Sequence, residues 1–540
     1  MSKNCLNVLE RDDCLKKLAN EPVDLLVIGG GITGAGIALD AASRGIKVAL
    51  VEKADFSSGT SSRSTKLIHG GLRYLKQLEL SVVRETGKER AIAYRNAPYL
   101  VHPEKLILPI QKKGSLGWYS TSFALWVYDF LAGVSKSDRK KMISKSEMLK
   151  LLPQFKSKDL IGAGLYSEYR SDDSRLTIEI IKKAVSYGAL AFNYLEGLDF
   201  IYQEKLVSGI VAKDHIRKQE IKISAKCVVN AAGPWVDEIR KTKASIGKKR
   251  LVLSKGVHLV INKEKLHLSH AVYFEAKDKR MIFAIPREGK IYFGTTDTVY
   301  TDNINTPKTS KKDALYLLEC MNDAFEGINL QLSDVVSSWA GLRPLIHEDG
   351  KSSSEISRKD EIFISSNGLF SIAGGKLTAY RSMAKRVVDL VNKKMNFSNK
   401  ECQTSSIILS KSKIDINDIK TTKNKLFKVY KTPVNELKYL WSRYGMESKK
   451  ILDKKPVNSN PKVALIINEF DYCLEHESLW SLLDFFRLRN ARVYFYPESM
   501  NELIAPIAEH AKQKLKWTEE KKQKEIDTLN VFLKEAITFE

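Results

Sequence analysis

The block from Thr60 to Tyr74 reads TSSRSTKLIHGGLRY, and it holds most of the side-chain types that proton abstraction beside an anion needs. His69 is the natural proton acceptor, because an unperturbed imidazole titrates near ~6.5. Arg73 offers a planar fork of donors to an oxyanion or to hydroxyls, and Tyr74 adds a phenol. Thr60, Ser61 and Ser64 supply hydroxyls, and the glycines leave backbone exposed, which suits a phosphorylated ligand. A polar surface loop, with His69 only orienting it, is the plain alternative.

What precedes this block gives it a context. Val23 to Ile28 is a short apolar run that breaks into Gly29-x-Gly31-x-x-Gly34, and Ile32 to Arg44 then reads as a helix closed by Gly45. Ile46 to Val51 is a second strand, ending at Glu52. In such a β-α-β unit the glycines permit the turn, close approach of a pyrophosphate and helix-on-strand packing, while the acid accepts from a ribose. Two later strand ends carry small residues: Ala232-Gly233 and Gly374-Gly375-Lys376-Leu377-Thr378. Three such turns in one chain point to one large dinucleotide cofactor.

A chain of 540 residues with 43% hydrophobic and 28% charged residues exceeds one compact core and is expected to form two or three domains. Further strand-like runs at Cys227 to Asn230, Met281 to Ile285, Ile291 to Gly294 and Leu369 to Ala373 put the first ~400 residues in the α/β or α+β class. After Asn399 the patterns turn helical, at Asn435 to Tyr444, His476 to Arg489 and Leu503 to Trp517. Six cysteines without CxxC or His spacing read as reduced thiols, and no metal site is expected. Met1 to Pro22 lacks an apolar core, so no leader is expected, and no apolar run is long enough to span a bilayer. The formal charge of +24 attracts nucleic acid, anionic membrane or anionic small molecules. Lys is spread along the chain without interleaved aromatics, which argues against a nucleic-acid partner.

Six pieces, in order, carry a resemblance: Val27 to Gly36, Lys66 to Tyr74, Asn230 to Trp235, Gly294 to Asp297, Gly341 to Pro344 and Gly374 to Thr378. They resemble the FAD-dependent (respiratory) glycerol-3-phosphate dehydrogenase family over roughly residues 20 to 400, and Tyr444-Gly445 with Asp484 to Arg489 extends the likeness loosely into the tail. The resemblance implies a Rossmann-like FAD-binding domain of the glutathione-reductase/D-amino-acid-oxidase type, with a β-sheet substrate cap and a C-terminal α-helical domain. The expected division is 1–399, with FAD-binding parts at about 20–80, 165–245 and 335–399 and cap parts at about 85–165 and 245–335, followed by 400–540.

On this reading Gly29, Gly31, Gly34, Glu52, Thr60, Ser61, Ser64, Lys66, Leu67, Ala232, Gly233, Gly374, Gly375, Lys376, Leu377 and Thr378 contact FAD. Arg343 and Arg358 take the substrate phosphate, Arg73 and Tyr74 the substrate, His69 the C2 hydroxyl proton, and Lys376 stabilises the reduced flavin. The implied reaction moves a hydride from C2 of sn-glycerol 3-phosphate to flavin N5, with electrons passing to a membrane quinone. The related oxidase branch uses molecular oxygen, and an amino-acid or amine oxidase is a further alternative. Gly117 to Leu131 is rich in aromatics between Lys112, Lys113 and Arg139 to Lys141, which suits an anionic bilayer surface, although such a stripe is more often core. The expected location is cytoplasmic, at the inner face of the cell membrane. The sequence leaves the oligomeric state open, a homodimer included.

Overall fold

The computed structural model describes residues 3–71, 80–115, 117–131, 138–241, 249–348, 359–410 and 418–540. Two sheets and a helical region share the chain. The first sheet runs, in spatial order, Glu361–Ile364, Phe370–Ala373, Gln219–Asn230, Val23–Ile28, Val48–Val51 and Leu190–Phe192. Its central pairs are parallel, with Leu25 facing both Cys227 and Val48 in register. A strand buried on both faces must be apolar throughout, which is why Leu25, Leu26 and Val27 form an unbroken run with no solvent exposure. The helices Ile32–Ser43 and Tyr380–Met395 pack together against this sheet. An antiparallel hairpin, Leu195–Gln203 with Leu206–Asp214, extends the strand Gln219–Asn230.

The second sheet is mainly antiparallel. Its order is Thr298–Val299, Lys249–Asn262, Lys290–Gly294, Met281–Arg287, Ala271–Glu275, His102–Gln111, Leu160–Arg170 and Leu67–Ile68. The long strand Val335–Glu348 pairs along Lys249–Asn262, placing Arg343 opposite Ser254. Alternation along that strand puts Trp339, Gly341 and Arg343 on one face. The carboxyl ends of the first sheet thus look toward a face of the second.

The remaining chain is helical, including Val434–Tyr444, Pro461–His476, Met500–Leu515 and Glu519–Glu535. The helix expected over His476 to Arg489 is interrupted. The helix Pro461–His476 ends there, Ser478 takes a left-handed φ of 51°, and its N–H bonds Leu6 O at 2.7 Å. Phe485–Arg489 then forms one wide turn, closed by Asn490 N–H to Phe485 O at 3.2 Å. Periodicity alone misses the break, because buried ion pairs decide it: Arg175 to Glu477 at 2.7 Å and Arg489 to Asp55 at 2.6 Å fix this region onto the helix Asp173–Ser186 and the turn that follows Val48–Val51. The six cysteines are unpaired. Among the described residues no helix is long and apolar enough to cross a membrane.

Candidate active site

At the carboxyl ends of the parallel strands lies a cavity of about 350 Å³, lined by residues of four turns, among them Gly29, Gly31, Glu52, Thr60, Ser61, Ala232, Gly233, Gly374 and Gly375. Its walls are made by side chains that are missing. A Cβ on Gly29 would stand 2.6 Å from Ala231 O, at a φ of 113° that other residues rarely adopt. A Cβ on Gly34 would stand 1.9 Å from Gly29 O, so only glycine lets the helix Ile32–Ser43 approach the strand end. That helix starts at Gly31 with no side-chain cap, leaving N–H groups and the positive dipole end directed at the cavity. Ile32 N–H is held by Ser61 Oγ at 2.9 Å. Such a cradle fits the pyrophosphate of a dinucleotide.

Glu52 closes the turn from the next strand. Its carboxylate accepts from Gly30 N–H at 2.7 Å and Ala54 N–H at 3.0 Å, while burial pushes its carboxyl above the ordinary range. The remaining acceptor capacity of this buried carboxylate suits ribose hydroxyls.

The cradle runs into a second cavity of about 840 Å³, and the two share Ile32, Thr60, Ser61, Pro344, Gly375, Lys376 and Leu377 as walls. Ser64, Thr65, Leu67, His69, His258, Arg343 and Thr378 line the larger one. Thr60 Oγ1 donates to Leu342 O at 2.7 Å, which ties the polar block to the strand carrying Arg343. Arg343 donates to Thr295 Oγ1 at 2.9 Å and Thr296 O at 3.2 Å, with Asp297 at 3.4 Å. Gly256 faces it: a Cβ there would sit 2.3 Å from the guanidinium. Thr378 Oγ1 donates to His69 O at 3.0 Å, joining two sequence blocks over three hundred positions apart.

The strand ends of the first sheet therefore bring Gly29, Gly31, Glu52, Ala232, Gly233, Gly374 and Gly375 to one cavity; the turn after Phe370–Ala373 carries Lys376 and Leu377 into both cavities and Thr378 into the larger, where they meet His69 and, from the second sheet, Arg343. Gly34 acts by packing and lines neither. Lys66 also lines neither: its ammonium is buried against Asp173 at 2.6 Å and Ser62 O at 3.0 Å, so a side-chain contact with FAD does not follow from its position. Arg73, Tyr74 and Arg358 lie outside the described residues.

Three lining residues went unremarked in the sequence. His258 is stacked on Trp339 at 5.0 Å between ring centres, with Nε2 3.0 Å from Thr65 Oγ1. Burial, then Arg343 and Lys66, push its imidazole well below the usual range, so it is neutral and a poor proton acceptor. Burial and the neighbouring Arg487 bring the Arg63 guanidinium down to about 9. Glu168 approaches from the strand Leu160–Arg170. A lone polar residue in an alternating strand carries no spacing signal, and only the pairing of distant strands reveals it.

The aromatic stretch forms the helix Trp118–Leu131 at the edge of the larger cavity, to which it contributes Thr121, Ala124 and Leu125. Its outer face is not core. Tyr119, Phe123, Trp126 and Phe130 are 87%, 66%, 56% and 75% exposed, and the last three stack in sequence at 6.0 and 6.1 Å.

Residues 24–381 match the family model of FAD dependent oxidoreductases, and residues 402–522 that of the C-terminal domain of alpha-glycerophosphate oxidase. The aerobic glycerol-3-phosphate dehydrogenase of Bacillus subtilis is 44% identical over 550 residues, covering 99% of both chains. That of Staphylococcus haemolyticus is 44% identical, covering 98% of both. Among solved structures, the glycerol-3-phosphate dehydrogenase of Bacillus halodurans complexed with FAD superposes with a TM-score of 0.84, at 40% identity over 99% of each chain. The FAD-bound L-alpha-glycerophosphate oxidase of Mycoplasma pneumoniae shares the fold at 19% identity, with a TM-score of 0.54 over 69% of this chain and 95% of its own. With its glycine cradle, two-sheet architecture and full-length similarity, this chain belongs to the FAD-dependent glycerol-3-phosphate dehydrogenase family.

Proposed function

We propose that this chain oxidises sn-glycerol 3-phosphate at C2 to dihydroxyacetone phosphate, with FAD in the joined cavities. The observation that carries the reading is the continuity of a backbone-lined dinucleotide cradle with a larger chamber walled by His69, Arg343 and Lys376. Bound FAD supplies an acceptor for the hydride leaving C2.

The chain's own residues do the rest. His69 takes the C2 hydroxyl proton at an imidazole nitrogen, a role that falls to it because burial, with Arg343 and Lys66, leaves the His258 imidazole with little affinity for a proton. Arg343, its guanidinium oriented by Thr295 and Thr296, grips the phosphate together with Arg358, and Arg73 serves the phosphate or the substrate hydroxyls. Tyr74 orients the substrate. Lys376 holds positive charge where negative charge develops. Thr60, Ser61, Ser64, Leu67, Ala232, Gly233, Leu377 and Thr378 shape the cofactor's bed. Residues 1–399 form the oxidoreductase domain and 400–540 a helical domain braced on it.

We assign a membrane quinone as the electron acceptor. The exposed aromatic face of Trp118–Leu131 and the basic residues near it support peripheral docking on an anionic bilayer, at the inner face of the cell membrane.

The test is anaerobic. Glycerol 3-phosphate should bleach the purified flavoprotein, and a quinone analogue should restore its colour faster than air does. Absence of bleaching removes the substrate assignment; faster recovery in air makes the enzyme an oxidase.

A further inference from the structure

The inner face of the aromatic helix reaches the loop that carries His69. Tyr128, fully buried, accepts the Gly70 N–H at 3.1 Å and donates to Glu168 Oε1 at 2.6 Å. The same N–H also meets Glu168 Oε2 at 3.1 Å. Arg90, buried beneath, donates to the Tyr128 oxygen at 2.7 Å and to Glu168 Oε2 at 2.8 Å. Gly70 O accepts from Thr86 Oγ1 at 2.7 Å. A Cβ on Gly70 would stand 2.3 Å from the Tyr128 oxygen, so the contact needs glycine there.

Charge balance does not call for this arrangement. Arg90 and Glu168 already compensate each other, and a phenylalanine ring packed edge-on to Tyr166, as Tyr128 is at 6.1 Å, would fill the same space without a hydroxyl. What the hydroxyl adds is a second acceptor on the peptide that follows His69. With Thr378 holding His69 O, both polar groups of the His69–Gly70 peptide are pinned by elements distant in sequence. Burial raises the Tyr128 phenol well above its ordinary range, so it stays a neutral hydroxyl throughout the working pH.

We propose that Tyr128 is a positioning residue of the active site: through Gly70 it fixes the His69 imidazole at the distance proton transfer requires. The inference rests on the glycerol 3-phosphate reading and on His69 as its proton acceptor. Because the hydroxyl sits on Trp118–Leu131, one helix carries both the exposed aromatic face and a fastening of the catalytic loop.

The experiment compares wild-type holoenzyme with Tyr128→Phe, which keeps the ring and removes one oxygen. Anaerobic rapid mixing with glycerol 3-phosphate gives the limiting rate of flavin bleaching and the substrate Kd over a range of pH. A displacement of about an ångström at a reacting group lowers rates by up to roughly a hundred-fold, so the variant's limiting rate should fall at least about ten-fold, equally at every pH. Its Kd and flavin content should stay those of wild type, while its Tm drops by about 1–3 °C for the buried Glu168 oxygen left without a donor. A limiting rate within about two-fold of wild type, or a deficit that vanishes at high pH, overturns the proposal. So does a rate loss matched by loss of flavin, which would make Tyr128 a scaffold residue. If Tyr128→Phe does not fold, Thr86→Val, which frees Gly70 O, decides on the same readouts: a slower limiting rate at unchanged Kd supports the clamp, and an unchanged rate removes it. Failure of wild type to bleach removes the substrate reading itself, and this inference with it.

Discussion

The two joined cavities are built by opposite means. In the smaller one the strand-end turns are main chain packed on main chain, brought close because glycines at 29, 34 and 374 carry no Cβ. In the larger one the walls are side chains: His69 from a loop, His258 and Arg343 from paired strands, Thr378 from a turn after the first sheet. A site made of backbone presents N–H groups at fixed places and tolerates no addition. One made of side chains can lose a member, keep its shape and change only what it binds.

The largest effect should come from violating the first rule. In Gly34→Val the new Cβ meets a main-chain oxygen at 1.9 Å, and neither strand nor helix can retreat without breaking the parallel pairing. The purified variant should be colourless or insoluble, read by flavin absorbance against protein. Retention of stoichiometric flavin would break the comparison. Arg343→Ala tests the other rule. Loss of charge-assisted hydrogen bonds costs about 1.5–3 kcal/mol, so the KM for glycerol 3-phosphate should rise roughly 10- to 100-fold with flavin content unchanged. A variant that lost its flavin would show the cavities to be one structural unit. Glu52→Gln lies between: it keeps one acceptor for the Gly30 and Ala54 N–H groups and replaces the other with a donor. Flavin dissociation should speed up by about ten-fold, seen by fluorescence on dilution, with the substrate KM within experimental scatter.

This difference also governs what could be read from the sequence. Gly29-x-Gly31-x-x-Gly34 and Glu52 are legible because their mechanics are local: one strand, one turn, one helix. Parallel strands such as Val23–Ile28 announce themselves as apolar runs. His258 and Glu168 were not legible, because their importance arises from which distant strand lies opposite. Lys66 shows the converse error. Its neighbours Thr65 and Leu67 line the chamber, but Lys66 itself, at a left-handed φ of 58° before the strand Leu67–Ile68, turns its side chain to Asp173. The aromatic stretch could be seen in the sequence, yet which of its faces met water depended on tertiary packing.

The smallest effect concerns Asp484, behind the backbone cavity. Tyr194 donates to its carboxylate, and the adjoining chain is main-chain bonded to the cofactor wall: Tyr194 N–H to Ala54 O and Leu195 N–H to Glu52 O, each 2.8 Å. Burial, reinforced by the charge of Asp55, pushes the Asp484 carboxyl up to about 7. The folded protein therefore holds a proton that the unfolded chain releases in the ordinary carboxylate range. Stability is full below that range and falls as pH rises toward about 7, where the folded group ionises. Asp484→Asn leaves an acceptor for Tyr194 and removes the titration. Wild type should lose about 1–2 °C of Tm between the two ends of that window relative to the variant. Flavin retention and KM should not follow, because the wall is fixed by peptide hydrogen bonds. If flavin release instead accelerated with pH in wild type and not in Asp484→Asn, a side-chain charge would be governing the backbone cavity, and the division between the two sites would have to be redrawn.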